Sequence, residues 1–524
     1  MEMRMKSKIT ILIICMFFTG AVTASANHAV VPTLLSGTAF SLSPMGKASV
    51  TVFDALGNRK SVIADKYGVY TVDVTEMKAP FLIHALESAG ANFSDESKFR
   101  GKSITAILGG VTPHVKNTAN VNPLSDRVVS EVALTLGYKG PIGLVLAGKT
   151  EGIKTEIIME KTDKTRLMVL QALKDAGVAT AEIWDPVTSI ESSNVVDVLR
   201  LIRHNHGYDT ATGQVGDTML FDINFRPLSA IDILNFERAS KEKAKLADKG
   251  IVHIYLAADS TCSNYETERT PRAGWGQIFQ SKFKENAKVM IVNAAQSGRS
   301  SRTFSNEGWL RMIGESILPG DYLFIQFGHN DEKGGSAIPA KRDKFDIANT
   351  ATYPNDAIGK IQGSEDLSFQ RWLEKYIKLA RDRQAIPVLL TPTTRIIVDQ
   401  DKNTGLFPIQ QSVHRNNSTN SSAKYFGDFS QTIRDTATAN KVALIDIDAK
   451  TMTMANNIGE PQWKKLWLAV DPVQYPFYKK GMTGNIDLPD TTHFQINGAS
   501  KVGDLIIEGL KKTPSLERLA KMAK

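Results

Sequence analysis

The chain has 524 residues, of which 42% are hydrophobic and 23% charged, and its formal net charge is +8. This length is sufficient for two or three domains with a large core, and the composition is that of a globular protein. The most basic run, 241–249, alternates with acidic residues and alanines, so we expect a solvated helix there. No basic stripe with interleaved aromatic residues occurs, so we expect no nucleic-acid partner.

The first 26 residues have the pattern of a signal peptide. Basic residues precede an apolar stretch at 9–18, which is too short to span a bilayer, and an Ala-Ser-Ala cleavage site follows at 24–26. We expect a mature chain that starts near Asn27 and is secreted or periplasmic, and the short apolar stretch disfavours an uncleaved anchor. No other stretch is long and apolar enough for stable membrane insertion. Cys262 is then the only cysteine, which excludes an intramolecular disulfide and predicts a small buried side chain.

Residues 27–90 are predicted to form a small β-sandwich, and residues 91–249 a mainly helical accessory region and linker. In the first region, apolar and polar residues alternate at 48–53 and 67–74, with turn formers between these runs. In the second region, helical periodicity is present at 123–136, 164–176, 194–204 and 231–250. Neither region has a recognisable catalytic constellation, so we expect an accessory role in spacing, binding or stability.

From residue 250 to residue 524, apolar runs typical of buried strands alternate with helical segments. The runs lie at 251–257, 289–293, 322–327, 387–391 and 443–447. The helical segments lie at 275–283, 307–317, 369–385, 426–441 and 498–510. This alternation predicts a parallel sheet covered by helices on both faces. Two long polar stretches, 332–367 and 399–424, interrupt it, and loops of this length are usually functional or mobile.

A candidate nucleophile follows the first of these strands. Ser260 lies in Asp-Ser-Thr at 259–261, where open α/β sheets place their ligand crevices. A serine needs an adjacent base, and Asp490 and His493 can supply one. In a turn or helical turn, residues three apart face the same side, so the carboxylate can hold the imidazole in the useful tautomer. No G-x-S-x-G surrounds Ser260, which excludes the nucleophile elbow of α/β-hydrolases.

Two later strand ends offer donors for a developing oxyanion. Gly298 follows the second strand, and a glycine there lets a backbone N–H approach a ligand closely. Asn330 follows the third strand with a side-chain amide, and the N–H of Ser260 is a third donor. Since these segments end strands of one inferred parallel sheet, we expect them to converge on one edge.

These segments resemble the four sequence blocks of the SGNH (GDSL-type) hydrolases. The fuller strings resemble the rhamnogalacturonan acetylesterase branch, at 259–261, 297–302, 327–331, 387–395 and 490–494. The resemblance extends from about residue 250 to the C-terminus. One departure is visible, because Ala258 stands where the family has a glycine before the aspartate.

The resemblance implies a flavodoxin-like three-layer α/β/α domain with no metal or organic cofactor. It implies Ser260 as nucleophile, His493 as base and Asp490 as the residue that orients the base. The oxyanion hole would consist of the N–H groups of Ser260 and Gly298 and the amide of Asn330. The implied reaction is removal of acetyl groups from a pectin-like or rhamnogalacturonan-like polysaccharide or oligosaccharide through an acyl-enzyme.

Two alternative functions remain open from the sequence. The same mechanism can act on lipid or longer acyl esters, and a preference for acyl chain length separates that activity from deacetylation. The second alternative is a non-catalytic glycan-binding surface protein, for which Ala258 is the only support. The oligomeric state cannot be inferred from these patterns.

Several side chains are weaker candidates for substrate binding. Arg299 and Arg302 can contact an acidic sugar or brace their loop through ion pairs. His329 can support the loop that carries Asn330 or act as a second base, and we favour support. Tyr475 and Tyr478 can form a wall of the pocket.

For the remaining polar and aromatic candidates we favour structural roles. We expect Asp259 to shape its turn, and His253 and Trp309 to lie in the core. His204 and His206 have the spacing of a metal-ligand pair, but no acidic or cysteine partner lies nearby in sequence. We therefore expect a solvated helix end there and no metal site.

Overall fold

The computed structural model describes the accessory region and the C-terminal domain with several gaps. It covers residues 31–87, 103–208, 215–222, 225, 228, 250–265, 267–332, 352, 360–361, 365–366, 368–399, 401–416 and 427–524. The signal peptide expected at 1–26, the helix expected at 231–250 (apart from Gly250) and most of the polar stretch at 332–367 lie outside the described residues.

Two small sheets share one core near the N-terminus. Their strands are β1 Leu34–Thr38, β2 Ser49–Phe53, β3 Arg59–Ile63, β4 Val69–Asp73, β5 Phe81–Leu86, β6 Ser103–Leu108 and β7 Lys116–Thr118. The strand orders are β4-β1-β7 and β3-β2-β5-β6. Leu35 and Val72 of the first sheet pack with Val50 and Ile83 of the second. Since β6 and β7 pair with earlier strands, the sandwich continues beyond residue 90, where the sequence suggested its end.

Helices and a hairpin complete the accessory region. They are α1 Pro123–Thr135, α2 Pro141–Ala147, α3 Thr155–Asp175, α4 Ser193–Leu199, β8 Arg203–Tyr208 and β9 Val215–Phe221. The start of α1 is specified locally, because the Asn122 side chain accepts the N–H groups of Leu124 and Ser125 and a proline takes the first helical position. The helix predicted at 194–204 is wrong at its end, since residues 203–208 pair antiparallel with β9.

The C-terminal domain is built on five parallel strands. The strands of this domain are β10 Val252–Ala258, β11 Arg272–Ala273, β12 Val289–Asn293, β13 Tyr322–Gln326, β14 Lys360–Ile361, β15 Glu365–Asp366, β16 Ile386–Leu390, β17 Val398–Asp399, β18 Thr404–Gly405, β19 Arg415–Asn416, β20 Gly427–Asp428, β21 Ala443–Ile445, β22 Trp467–Leu468 and β23 Asp490–Gln495. The parallel sheet has the order β12-β10-β13-β16-β21. This is the 2-1-3-4-5 order of flavodoxin-like folds, whose ligand crevice lies between the first and third strands. The crevice is therefore expected at the carboxyl ends of β10 and β13.

Helices cover both faces of this sheet. They are α5 Trp275–Ile278, α6 Ser301–Asn306, α7 Trp309–Ser316, α8 Phe369–Asp382, α9 Phe429–Asn440, α10 Ile447–Ile458, α11 Ile496–Lys512 and α12 Glu517–Met522. Trp275 and Val502 belong to the core on one face, and Trp309 and Tyr376 to the core on the other. The predicted three-layer α/β/α fold is thereby confirmed. Among the described helices, none has the length and apolar character needed to cross a membrane.

The accessory hairpin packs against the C-terminal domain. The ring of Phe221 lies 5.0 Å from that of Trp309 in a T-shaped contact. Arg203 Nε donates to Ser316 Oγ at 3.1 Å, and Arg311 donates to the carbonyl of His204 at 3.3 Å. Phe221 is buried in the same core cluster as Trp309, so the two parts of the chain share apolar packing.

Candidate active site

The turn after β10 presents Ser260 at the carboxyl edge of the sheet. The Asp259 carboxylate accepts the Thr261 N–H at 2.9 Å and the Thr261 hydroxyl at 2.8 Å, and the Asp259 carbonyl accepts the N–H groups of Cys262 and Ser263. Asp259 therefore shapes the turn, as expected. The Tyr265 hydroxyl holds the other side of it by donating to the Ser260 carbonyl at 2.6 Å.

The structure brings Ser260, His493 and Asp490 into one hydrogen-bonded line. His493 Nε2 lies 2.8 Å from Ser260 Oγ, and His493 Nδ1 lies 2.7 Å from Asp490 Oδ2. With the proton on Nδ1 donated to the carboxylate, Nε2 can accept the serine hydroxyl. This arrangement can convert the hydroxyl of Ser260 into a nucleophile.

The Asp490–His493 pair lies at the start of a strand, whereas the sequence predicted a turn or helical turn. Asp490 Oδ1 accepts the N–H groups of Thr492 at 3.0 Å and His493 at 3.1 Å, which folds the first residues of β23 around the carboxylate. The pairing of β23 with β22 is irregular at this point. Burial alone would raise the pKa of Asp490, but these bonds and the one from His493 hold it below its ordinary value. The carboxylate is therefore ionised and keeps accepting the His493 proton.

The candidate oxyanion donors follow three neighbouring strands, β12, β10 and β13, at the carboxyl edge of the sheet. Gly298 has φ +79°, a conformation that favours glycine, and an added Cβ would meet nothing within 4 Å. Within the described residues, the N–H groups of Ser260 and Gly298 have no hydrogen-bond acceptor. Asn330 lies on the wall of the cavity beside Ser260, and its amide donates to the Arg299 carbonyl at 3.0 Å. That bond fixes the orientation of the amide.

A buried pair supports the loop that carries Asn330. His329 Nδ1 lies 3.1 Å from Asp259 Oδ2, and both side chains are buried. Burial lowers the pKa of His329 to about 4 in spite of the opposing charge of Asp259. Burial raises the pKa of Asp259, but the bonds from His329 and Thr261 outweigh it and bring it to about 2. His329 is thus a neutral donor that links the loop after β13 to the turn after β10, as its predicted supporting role requires.

A second buried pair involves a histidine from the polar stretch at 399–424. His414 Nδ1 lies 3.1 Å from Glu332 Oε2, and His414 Nε2 lies 2.7 Å from the Thr393 carbonyl. Burial lowers the pKa of His414, but the charge of Glu332 outweighs it, and the pKa is raised overall. Glu332 also forms an ion pair with Arg395. This network anchors the stretch beside Ser260, and no local pattern in the sequence indicated it.

These groups enclose a cavity of about 400 Å³. The cavity is lined by Ser260, His329, Asn330, Glu332, Arg395, Val413, Arg415, Thr492 and His493. Its size falls within the roughly 300–1,000 Å³ of small-molecule sites. Of the described lining residues, only Val413 is apolar, so the cavity is suited to a polar ligand.

Four of the predicted substrate contacts do not line this cavity. Arg299 forms an ion pair with Glu307 at 2.9 Å, and Arg302 is 2% exposed within α6. The structure therefore gives both arginines bracing or core positions. Tyr478 is buried with its hydroxyl donating to the Arg269 carbonyl, and Tyr475 packs against it. The two tyrosines form a small separate cluster instead of a cavity wall.

Three structural expectations are confirmed. Cys262 is buried, and burial raises the pKa of its thiol. His253 is buried in β10 with Nδ1 3.0 Å from the Asp321 carboxylate. Trp309 lies in a core cluster.

The interpretation of His204 and His206 as a solvated helix end is wrong. Both are buried on β8, and their Nε2 atoms lie 3.1 Å and 2.9 Å from Asp126 Oδ2. A metal ion could use these three groups, whose ligand atoms lie within 4.8 Å of one another. However, the carboxylate also accepts the N–H and hydroxyl of Thr105 and the hydroxyl of Thr218, so five donors already satisfy it. The geometry is that of a buried hydrogen-bond network that joins α1, β6 and the hairpin.

Comparison with known proteins identifies the C-terminal domain. Residues 259–469 match the model of the GDSL-like lipase/acylhydrolase family. The chain is 30% identical to the rhamnogalacturonan acetylesterase RhgT of Bacillus subtilis (strain 168) over 261 residues, which are 50% of this chain and 90% of that relative. The chain belongs to the GDSL-like hydrolase family. This GDSL-like hydrolase is also 30% identical to the probable rhamnogalacturonan acetylesterase YesY of the same organism, over 50% of this chain and 93% of the relative.

The GDSL-like hydrolase also resembles a solved structure, the YxiM protein of Bacillus subtilis. The two are 23% identical, and the match covers 50% of this chain and 56% of that chain with a TM-score of 0.34. The family and its esterase relatives make the GDSL-like hydrolase a carboxylic ester hydrolase.

Proposed function

We propose that this GDSL-like hydrolase is a secreted or periplasmic esterase that removes acetyl groups from a pectin-like or rhamnogalacturonan-like polysaccharide or oligosaccharide. The observation that carries the catalytic part is the 2.8 Å contact between Ser260 Oγ and His493 Nε2, with Asp490 behind the imidazole. The names of two relatives support the choice of substrate. The signal-like pattern at 1–26 supports the location.

In the proposed mechanism, Ser260 Oγ attacks the carbonyl carbon of the acetyl ester while His493 Nε2 takes the hydroxyl proton. The negative charge on the carbonyl oxygen is met by the N–H groups of Ser260 and Gly298 and by the Asn330 amide. The tetrahedral intermediate collapses, the carbon–oxygen bond to the sugar breaks, and His493 protonates the departing sugar oxygen. Water then attacks the acetyl-serine with His493 as base, and acetate leaves.

The lining of the cavity favours a sugar ester over a lipid ester. A long acyl chain gains affinity from apolar walls, and the described lining residues include only one apolar side chain. The hydroxyl groups of a sugar can instead exchange hydrogen bonds with the polar side chains. We therefore expect activity to fall as the acyl chain lengthens from acetyl.

Replacement of the proposed nucleophile tests the catalytic part. In Ser260→Ala, we expect the kcat for 4-nitrophenyl acetate to fall by about 10⁴-fold or more, because no acyl-enzyme can form. Ser281→Ala is the matched control, since Ser281 is an exposed serine outside the cavity. Hydrolysis by Ser260→Ala at the wild-type rate would refute the proposal. Acetate release from acetylated pectic polysaccharides, compared with release of longer acids from matched esters, tests the substrate class.

A further inference from the structure

Two arginines line the cavity beside Ser260, and neither was among the substrate contacts predicted from the sequence. Arg395 follows β16, and Arg415 lies in β19, within the polar stretch at 399–424. The network of His414 with Glu332 and the Thr393 carbonyl anchors this stretch one residue before Arg415. A buried anchor thus fixes the place where the Arg415 side chain meets the cavity.

The charges around Arg395 leave this wall positive. Arg395 pairs with Glu332 and donates to the His329 carbonyl at 3.0 Å. Each ring nitrogen of His414 faces an acceptor, so both can donate only if the imidazole is protonated. One arginine and one imidazolium then face a single carboxylate. The three residues Arg395, His414 and Glu332 therefore have a formal net charge of +1, and the carboxylates of Asp259 and Asp428 lie behind the lining residues His329 and Arg415.

Two hydrogen bonds hold the guanidinium of Arg415 in place without occupying all of its N–H donors. Arg415 Nε donates to Asp428 Oδ2 at 2.8 Å, and Nη1 donates to Gln411 Oε1 at 3.1 Å. Within the described residues, these bonds leave Nη2 for a ligand, and the side chain is 43% exposed. A guanidinium that is oriented in advance loses less entropy when it binds a carboxylate.

His329 places an acceptor behind the same wall. Its Nδ1 donates to Asp259, so Nε2 carries a lone pair, and this atom has no hydrogen-bond partner within the described residues. His329 is 2% exposed and its Nε2 is closed to solvent, so this atom is a buried acceptor behind the wall. The cavity wall therefore combines cations with polar side chains such as Asn330 and Thr492, as a sugar with a carboxylate requires.

We propose that Arg415 is a specificity-determining residue that binds the free carboxylate of the uronic acid unit that carries or adjoins the acetyl ester. The Arg395–Glu332–His414 group supports it with positive charge. This inference rests on the proposed function. The inference also implies an order of reactions. Where the uronic acid carries a methyl ester, a separate esterase reaction must free the carboxylate before this protein removes the acetyl group.

The test compares two forms of one substrate. Acetylated oligogalacturonides are prepared with free carboxylates and, in parallel, as their methyl esters, and kcat/KM for acetate release is measured on both. For the wild-type protein, we expect the free acid to be preferred by roughly tenfold or more, from charge-assisted hydrogen bonds. In Arg415→Gln, this ratio falls toward one, mainly through a higher KM for the free acid. Lys378→Gln, which removes an exposed cation from α8, keeps the wild-type ratio.

Two results would overturn the inference. One is a wild-type protein that treats the acid and the methyl ester alike, a result that needs no variant to fold. The other is an Arg415→Gln protein that loses activity on both substrates by the same factor. In both cases, wild-type hydrolysis of 4-nitrophenyl acetate still reports the serine esterase, so failure of this inference is distinct from failure of the proposed function.

Discussion

The reactivity of Ser260 depends on an aspartate that it does not touch. Asp490 accepts the proton on His493 Nδ1 and thereby leaves the lone pair of Nε2 facing the serine. The same carboxylate accepts two backbone N–H groups, so its position does not depend on the histidine alone. The orientation of the base and the local fold are therefore specified by one side chain.

The variant Asp490→Asn tests whether the Asp490 carboxylate sets the tautomer of His493. The amide can donate to His493 Nδ1 and so favour the tautomer with its proton on Nε2, which cannot accept the serine proton. We expect kcat for 4-nitrophenyl acetate to fall by about 10³- to 10⁴-fold with little change in KM. Steady-state kinetics measures this, and far-UV circular dichroism shows whether the variant is folded. A folded variant with wild-type kcat would remove Asp490 from the mechanism.

Among the structural elements, the sequence predicted those that are specified by continuous apolar runs or by short sequence blocks. The five parallel strands and the blocks around Ser260 and His493 could be recognised because each is local in sequence. The strand at 203–208 was missed because its polar His204 and His206 fit a solvated end. Their burial depends on Asp126, which lies some eighty residues earlier in the chain. Long-range pairing of this kind leaves no periodic pattern.

The cavity wall from 399–424 was unpredictable for a similar reason. This stretch is polar in sequence, and Arg415 is placed by the contact of His414 with Glu332 and by its own bonds to Asp428 and Gln411. Arg302 shows the opposite error, since an arginine inside a recognised block suggested substrate contact although it is buried in α6. A sequence block thus indicates the chemistry of a site but not which of its side chains face the ligand.

The variant His414→Asn tests whether the buried pair of His414 and Glu332 holds the chain around His414 in place. The variant removes the imidazolium partner of Glu332 but keeps its ion pair with Arg395, so we expect a loss of about 1–3 kcal/mol in the free energy of unfolding. Urea denaturation followed by circular dichroism gives this value. Lys402→Ala is the control, because its 3.5 Å ion pair with Asp399 is exposed and is worth at most ~1 kcal/mol. Equal stability of the two variants would contradict the anchoring role.

Across the whole molecule, neutral buried histidines recur in both parts of the chain. Burial lowers the pKa of His84 to about 3 and that of His329 to about 4, and it also lowers the pKa of His204. His84 and His204 lie in the accessory region, while His329 lies beside Ser260. His414, whose pKa is raised, is the exception. The folded protein therefore resists taking up protons that the unfolded chain accepts.

The sign of the resulting pH dependence follows from linkage. These histidines have a pKa near 6.5 in the unfolded chain and a lower one in the folded protein. Their contribution to stability is complete above pH 6.5 and is lost as the pH falls toward the folded values of about 3 and 4. For His84 and His329, this loss amounts to at most about 2 kcal/mol each between pH 7 and pH 5. His414 opposes the trend, since its stabilising charge is present at low pH.

We therefore expect a lower urea midpoint at pH 5 than at pH 7, because three histidines have a lowered pKa and only two groups oppose them. These two are His414 and Glu191, and burial raises the pKa of Glu191 to about 7, so its protonation stabilises the fold at pH 5. His84→Gln should reduce this difference, since one of the three groups no longer takes up a proton on unfolding. His114→Gln serves as the control, because His114 is exposed and its loss should leave the difference unchanged. An unchanged or higher midpoint at pH 5 would mean that the buried histidines do not control the stability of this protein.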